Sequence, residues 1–187
     1  AFVKCKEPSY SVHRFFERHY IKSTTFVIEP EKRYSKDADI ALMDGKKGII
    51  GDYYWDNWLG FNGNDMDAVI ELTDAIDFDK IRIGVAHNPD SWVMWPKAVL
   101  VSFSSDGQRY TDWRPAILPE YSLPDKNVPA NRFEAIAIVN AKKVRFIHLK
   151  LVNHSVLPYW HPNKGEKAWI MVDEVEIENR SEEHTSE

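Results

Sequence analysis

Apolar residues in this chain alternate with polar ones over short runs, and the runs stop at turn-forming residues. Lys80-Ile81-Arg82-Ile83-Gly84-Val85 sets Ile81, Ile83 and Val85 two apart, the period that places side chains on one face of a strand. Ala98 to Ser104 alternates in the same way and closes on Ser105-Asp106-Gly107, a hairpin-type turn. Val69-Ile70-Glu71-Leu72 predicts an earlier strand, punctuated afterwards by Thr and Asp. Glu134 to Val139 and Arg145 to Val152 predict a further pair, joined by Asn140-Ala141-Lys142-Lys143, and a last strand is expected from about Ala168 to Glu178. Nowhere do apolar residues keep a helical period over three turns. Short strands with loop insertions of roughly ten residues predict an all-β fold, a sandwich or jelly roll.

The irregular stretches at 51–66, 86–96, 111–133 and 153–167 are long for a compact domain, and loops of that size are usually functional. They also hold most of the tryptophans. Trp55, Trp58, Trp92, Trp95, Trp113 and Trp160 all sit beside loop-forming residues, and only Trp169, in Ala-Trp-Ile-Met-Val, lies in an apolar run. A tryptophan near solvent exposes a large apolar face unless a neighbouring loop or a ligand covers it. The pattern therefore suggests a surface that binds by stacking.

Composition narrows the classes. The 187 residues suit one domain with flanking material, and 43% hydrophobic with 28% charged residues is the balance of a soluble globular protein. A net charge of −5 gives no bulk electrostatic case for nucleic acid, and Lys46-Lys47 and Lys142-Lys143 read as solvated turn ends. The single Cys5 excludes an internal disulfide and a cysteine-based zinc site. No apolar stretch reaches the length of a membrane span. Residues 1–24 do not share the strand pattern and read as the end of a preceding small β domain or a linker. The sandwich is expected over 25–179, the first boundary to within several residues. Residues 180–187 are similar to a translated sequencing adapter and read as a non-native, disordered tail. The start at Ala1 without a signal peptide reads as that of an excised piece.

Ala41-Leu-Met-Asp-Gly45, Trp58-Leu-Gly-Phe-Asn-Gly-Asn-Asp65, Ala68-Val-Ile-Glu-Leu72, Ser104-Ser-Asp-Gly107 and Trp169-Ile-Met-Val-Asp-Glu-Val175 together resemble a discoidin domain, the coagulation factor V/VIII type C domain. Narrower wording points further: Trp58 to Asp65, Ser91-Trp-Val-Met-Trp-Pro96 and Pro158-Tyr-Trp-His-Pro162 ahead of Trp169 resemble the C-terminal accessory module of bacterial glycoside hydrolase family 20 β-N-acetylhexosaminidases. The resemblance implies a discoidin-type jelly-roll β-sandwich, galactose-binding-domain-like and related to family 32 carbohydrate-binding modules. It implies a parent that is secreted, periplasmic or at the cell surface, whose neighbouring domains would be partners.

Sugar recognition needs an aromatic face for the C–H side of the ring and fixed polar groups for its hydroxyls. The candidate ligand residues are Tyr54 and Trp55 in one loop, His87, Asn88 and Trp92 in a second, and His154 and Trp160 in a third. Sugar-binding relatives often carry an Arg and an Asn in the second loop; here His87 and Asn88 are the nearest equivalents. Trp58, Phe61 and Trp95 read as packing, Trp92 and Trp160 have a packing reading beside the ligand one, and Trp113 is unassigned. His148, alternating with Phe146 and Lys150, reads as an ordinary face residue. Discoidin modules frequently hold a structural calcium, for which Asp44 and Glu174 match the carboxylates, although Ile49 stands where a hydroxyl is usual. No catalytic residues are expected. Asp173 and Glu174, as strand neighbours, should face opposite sides unless a bulge intervenes, and no nucleophile constellation or phosphate loop is present. The functional expectation is a non-catalytic glycan-binding accessory module. The alternatives are a module that docks on its own catalytic domain, or one that adheres to protein or lipid.

Overall fold

The computed structural model describes residues 21–54, 57–119 and 128–178. Among them are seven strands, β1 (Ile21–Phe26), β2 (Leu59–Asn62), β3 (Met66–His87), β4 (Ala98–Ser104), β5 (Arg114–Ala116), β6 (Asn131–Val152) and β7 (Trp169–Glu178). All the strand pairings are antiparallel. β1 crosses position 25 and pairs with Leu72 to Ala68 of β3.

Two strands of 22 residues each build the two layers. Met66 to Glu71 of β3 pairs with Leu151 to Phe146 of β6, whereas Lys80 to His87 pairs with Ile138 to Asn131. The first half joins β1 and, through β6, β4 and β5; the second half joins β7 and, through it, β2. The paired ribbon thus folds over at residues 72–79 and 139–145, where the register shifts, and each strand serves both layers. The sequence predicts a hairpin at Asn140 to Lys143. The structure instead keeps β6 continuous, with Asn140 (φ 53°) and Lys143 (φ 51°) in left-handed conformation at the corner. Both residues look like turn residues, but the ladder to β3 continues through Ala141 opposite Phe78.

Period-two alternation fills the space between the layers. Ile147, Leu149 and Leu151 point inward from β6, opposite Ile70, Val99 and Val101, and Ile81, Ile83 and Val85 do the same from the other layer. Phe78 at the corner meets Phe103 of β4 edge-on, with centroids 5.4 Å apart. Because both long strands fold over, their four ends lie together. One end of the sandwich carries the β2–β3, β3–β4 and β6–β7 loops. The other carries the corner and the β4–β5 turn.

Candidate functional site

Three predicted loops meet at the loop end, held by backbone and side-chain hydrogen bonds. The 88–93 segment closes on itself, with Asn88 and Val93 exchanging N–H to carbonyl bonds, and Trp92 takes a left-handed conformation at φ 63°. Trp169 N–H donates to Trp92 O, and Met94 N–H to Trp169 O, which ties this loop to the start of β7. The late loop is anchored by Asn153, only 1% exposed, whose amide donates to Phe61 O, Asn64 O and Ala168 O while its Oδ1 accepts Ser155 N–H. His161 closes the gap: Nε2 donates to Pro89 O at 2.9 Å and Nδ1 accepts Asn163 N–H at 3.0 Å, which defines the neutral tautomer.

The predicted ligand residues divide within this frame. Tyr54 is 55% exposed and lies under the Arg33 guanidinium, 5.4 Å from ring to cation. Arg33 also caps Tyr34, whose ring meets Trp169 edge-on. Trp55 lies outside the described residues. Trp92 and Trp160 are half-buried and pack on one small cluster of Met94, Leu157 and Ala168. Next to Trp160, Tyr159 is 88% exposed. Asn88 is buried, its side chain beside the Tyr53 hydroxyl.

His87 does not reach the surface. It is fully buried, stacked on Trp95 with centroids 4.5 Å apart, and neither ring nitrogen has a hydrogen-bond partner among the described residues. It continues the inward series Ile81, Ile83, Val85, so strand alternation itself puts it inside. Burial, helped by nearby His154, holds its pKa down at about 4, and the ring is neutral at physiological pH. The expectation that it contacts a sugar is corrected on this ground. His154 is likewise lowered by burial and by Lys97, and its Nε2 has no partner. Trp58 and Trp95 are packing, as expected: Trp58 stacks over Gly48, where any Cβ would lie inside its ring, and its Nε1–H donates to Ile49 O.

The residues matched to a calcium lie on the outer face of the β2–β7–β3–β6 layer. Asp173 and Glu174 both point out of that face, not to opposite sides, because the register of β7 against β3 shifts there. Asp173 is wholly buried and held by a two-point ion pair with Arg132, made possible by Gly84, whose absent side chain leaves room for the pair. Glu174 accepts the Gly45 N–H, and burial together with Asp44, Asp173 and Glu176 pushes its pKa up to about 8. Asp44 is paired with Lys46 at 2.9 Å. Among the described residues no three His, Cys, Asp or Glu side chains converge as metal ligands. A hard cation here would need backbone carbonyls beside the two carboxylates.

Sequence reasoning missed two features. Arg33 over Tyr54 has no sequence signal, since nothing along the chain links positions 33 and 54. The outer face of the other layer carries Trp113, 43% exposed, over His148, which is bonded to Asp67 at 2.7 Å and also meets Tyr110. The signal for Trp113 was its place just past the Ser105-Asp106-Gly107 turn, which folds it back across β4.

No family model matches the chain, and no curated protein does either. Solved structures do. A Streptococcus pneumoniae fucose binding module is 12% identical with a TM-score of 0.55, over 87% of this chain and 94% of that one. The lectin binding domain of Lectinolysin, as a mutant complexed with Lewis b, is 12% identical with a TM-score of 0.53, over 88% and 97%. A Clostridium perfringens CBM32 module in complex with GlcNAc-α-1,4-galactose is 10% identical with a TM-score of 0.51, over 86% and 91%. The likeness is one of fold: the chain is an all-β, discoidin-type β-sandwich.

Proposed function

We propose that this chain is a non-catalytic carbohydrate-binding module that receives glycan at the loop end. The observation that carries the reading is the pair of half-buried tryptophans, Trp92 and Trp160, presented from two loops on one rigid cluster. Exposed Tyr159 flanks them, and Tyr54 with Arg33 adds a polar and aromatic patch on the third loop. Such a set offers stacking faces with few fixed charges, as neutral sugars require. The fold supports it, since the similar structures bear names that record fucose, Lewis b and GlcNAc-α-1,4-galactose as ligands. Catalysis has no support at Asp173 and Glu174, both buried and one spent on Arg132.

The parent, on this reading, is a secreted, periplasmic or cell-surface glycoside hydrolase resembling the family 20 β-N-acetylhexosaminidases, and its other domains are partners. One structural calcium at Asp44 and Glu174 belongs to the same proposal; it would take the place of the proton that burial and neighbouring acids favour on Glu174. Melting with and without chelator checks the ion, and an unchanged midpoint removes it.

The test of binding is a screen of the chain against neutral glycans ending in fucose, galactose or N-acetylhexosamine. A weak affinity is expected, because one or two stacked rings bury little area. Trp92→Ala and Trp160→Ala should each weaken a hit about tenfold or more, consistent with loss of an aromatic anchor. No binding to any of these glycans would sink the reading and leave domain docking or adhesion in its place.

A further inference from the structure

The corner end carries an open cleft of about 380 Å³ between the β4–β5 turn and the bend of β6. This lies within the ordinary range of small-molecule pockets, roughly 300–1,000 Å³. Its lining includes three cations, Arg109, Arg114 and Lys142, and no carboxylate, in a chain whose net charge is −5. Two acids lie beside the lining without joining it, Asp106 next to Arg109 and Asp77 next to Lys142, and each also accepts backbone N–H groups. Asp106 Oδ1 accepts the Gln108 and Arg109 N–H groups and the Ser104 hydroxyl, and Asp77 accepts Lys143 N–H while facing Lys142 at 3.5 Å. Arg114 donates one N–H to Val139 O, which fixes its guanidinium without neutralising it. Arg109 faces the Asp106 carboxylate electrostatically, so its charge is partly offset, whereas the bond printed for the Arg114 side chain goes to a neutral carbonyl. Tyr110, whose ring meets His148 edge-on, is also a lining residue.

We propose that this cavity is a second binding site, which takes the carboxylate or sulfate group of an acidic saccharide unit. Guanidinium groups grip such anions by paired, charge-assisted hydrogen bonds, and the aromatic ring suits the C–H face of the sugar that bears them. The chemistry differs from that of the loop end, where aromatic rings carry the surface and Arg33 is stacked on Tyr34 and Tyr54. The two sites are also apart, because β4 alone spans seven residues, on the order of 20 Å. The saccharide identity rests on the carbohydrate-binding reading; the preference for an anion rests on this cavity alone.

Calorimetric titration of the chain with trigalacturonate, with galactose 6-sulfate and with a neutral galactotriose tests it. At least one acidic probe should bind, and the carboxylate and sulfate arms show which group is preferred. The Arg109→Gln/Lys142→Gln variant should weaken that binding about tenfold or more, as should raising salt from about 50 to about 500 mM. Trp92→Ala should leave it unchanged. Failure of both acidic probes, or acidic binding that survives in the double variant, overturns the proposal. So does acidic binding lost in Trp92→Ala and kept in the double variant. If neutral glycans fail and an acidic probe binds through Arg109 and Lys142, the loop-end reading falls and this site stands.

Discussion

The two ends of the sandwich spend their polar groups differently. At the loop end, Asn153 and His161 use their side chains to hold loops together, and His87 is buried as a neutral ring. At the corner end, guanidinium and ammonium groups line an open cavity, Arg114 bonded to Val139 O and Arg109 and Lys142 beside exposed acids only. A concentration of aromatic and histidine residues here marks a region whose side chains hold its own loops, while the Lys/Arg-bearing turns keep their charged groups at the surface. Substitutions should expose the contrast: the loop end should lose stability when its polar groups change, and the corner end should lose only binding.

The largest effect is expected at Asn153. Asn153→Ala removes three hydrogen bonds from a site that is 1% exposed, two from the Nδ2 hydrogens, shared among three carbonyls, and one at Oδ1. At about 1 kcal/mol each, the loss is about 3 kcal/mol. Urea denaturation at neutral pH measures it. A change below about 1 kcal/mol would mean that the late loop is held by its apolar contacts instead, and the contrast between the ends would weaken.

Next comes the acid response of His87. Its folded pKa of about 4 lies below the ordinary value of 6.5, so between those values the unfolded chain binds more protons than the folded one. Stability from this group is full above about pH 6.5 and is lost as pH falls toward 4, by roughly 3 kcal/mol. His154, lowered by the same burial, should add to the loss in the same direction. His87→Phe keeps a ring against Trp95 and cannot protonate, so its stability should fall less over that window. Parallel pH curves for the two proteins would show that His87 does not set the acid response.

How much of this could be read along the chain differs between the ends. β4 and β7 were legible because alternation and turn residues agreed, and the loop end was legible as a place. Its internal order was not. Whether Trp92 or Trp160 is open depends on what another loop lays against it, and no local pattern carries that information. His87 is the instructive exception, since extending the series Ile81, Ile83, Val85 by two would have placed it inside. The corner misled for a different reason. Asn140 and Lys143 have the conformations of a turn, yet the neighbouring strand bends with them and the ladder persists. The cavity that results gathers Arg109, Arg114 and Lys142 from separate segments, and only the fold brings them together.

The smallest expected effect is the one that separates the ends most sharply. Arg109 and Lys142 are exposed, and neither holds a buried partner. Arg109→Gln/Lys142→Gln should therefore change the unfolding free energy by no more than about 0.5 kcal/mol, the usual range for surface positions outside packed or bonded sites. Lys142 faces Asp77 at 3.5 Å, but both side chains are more than half exposed, and such pairs contribute little in water. Urea midpoints for this variant and for Asn153→Ala, taken in the same buffer, give the comparison directly. If the double variant is destabilised by 2 kcal/mol or more, roughly the range of a buried structural interaction, then the corner cations are part of the scaffold. Their convergence on the cavity would then be explained by folding, and the two ends would be alike after all.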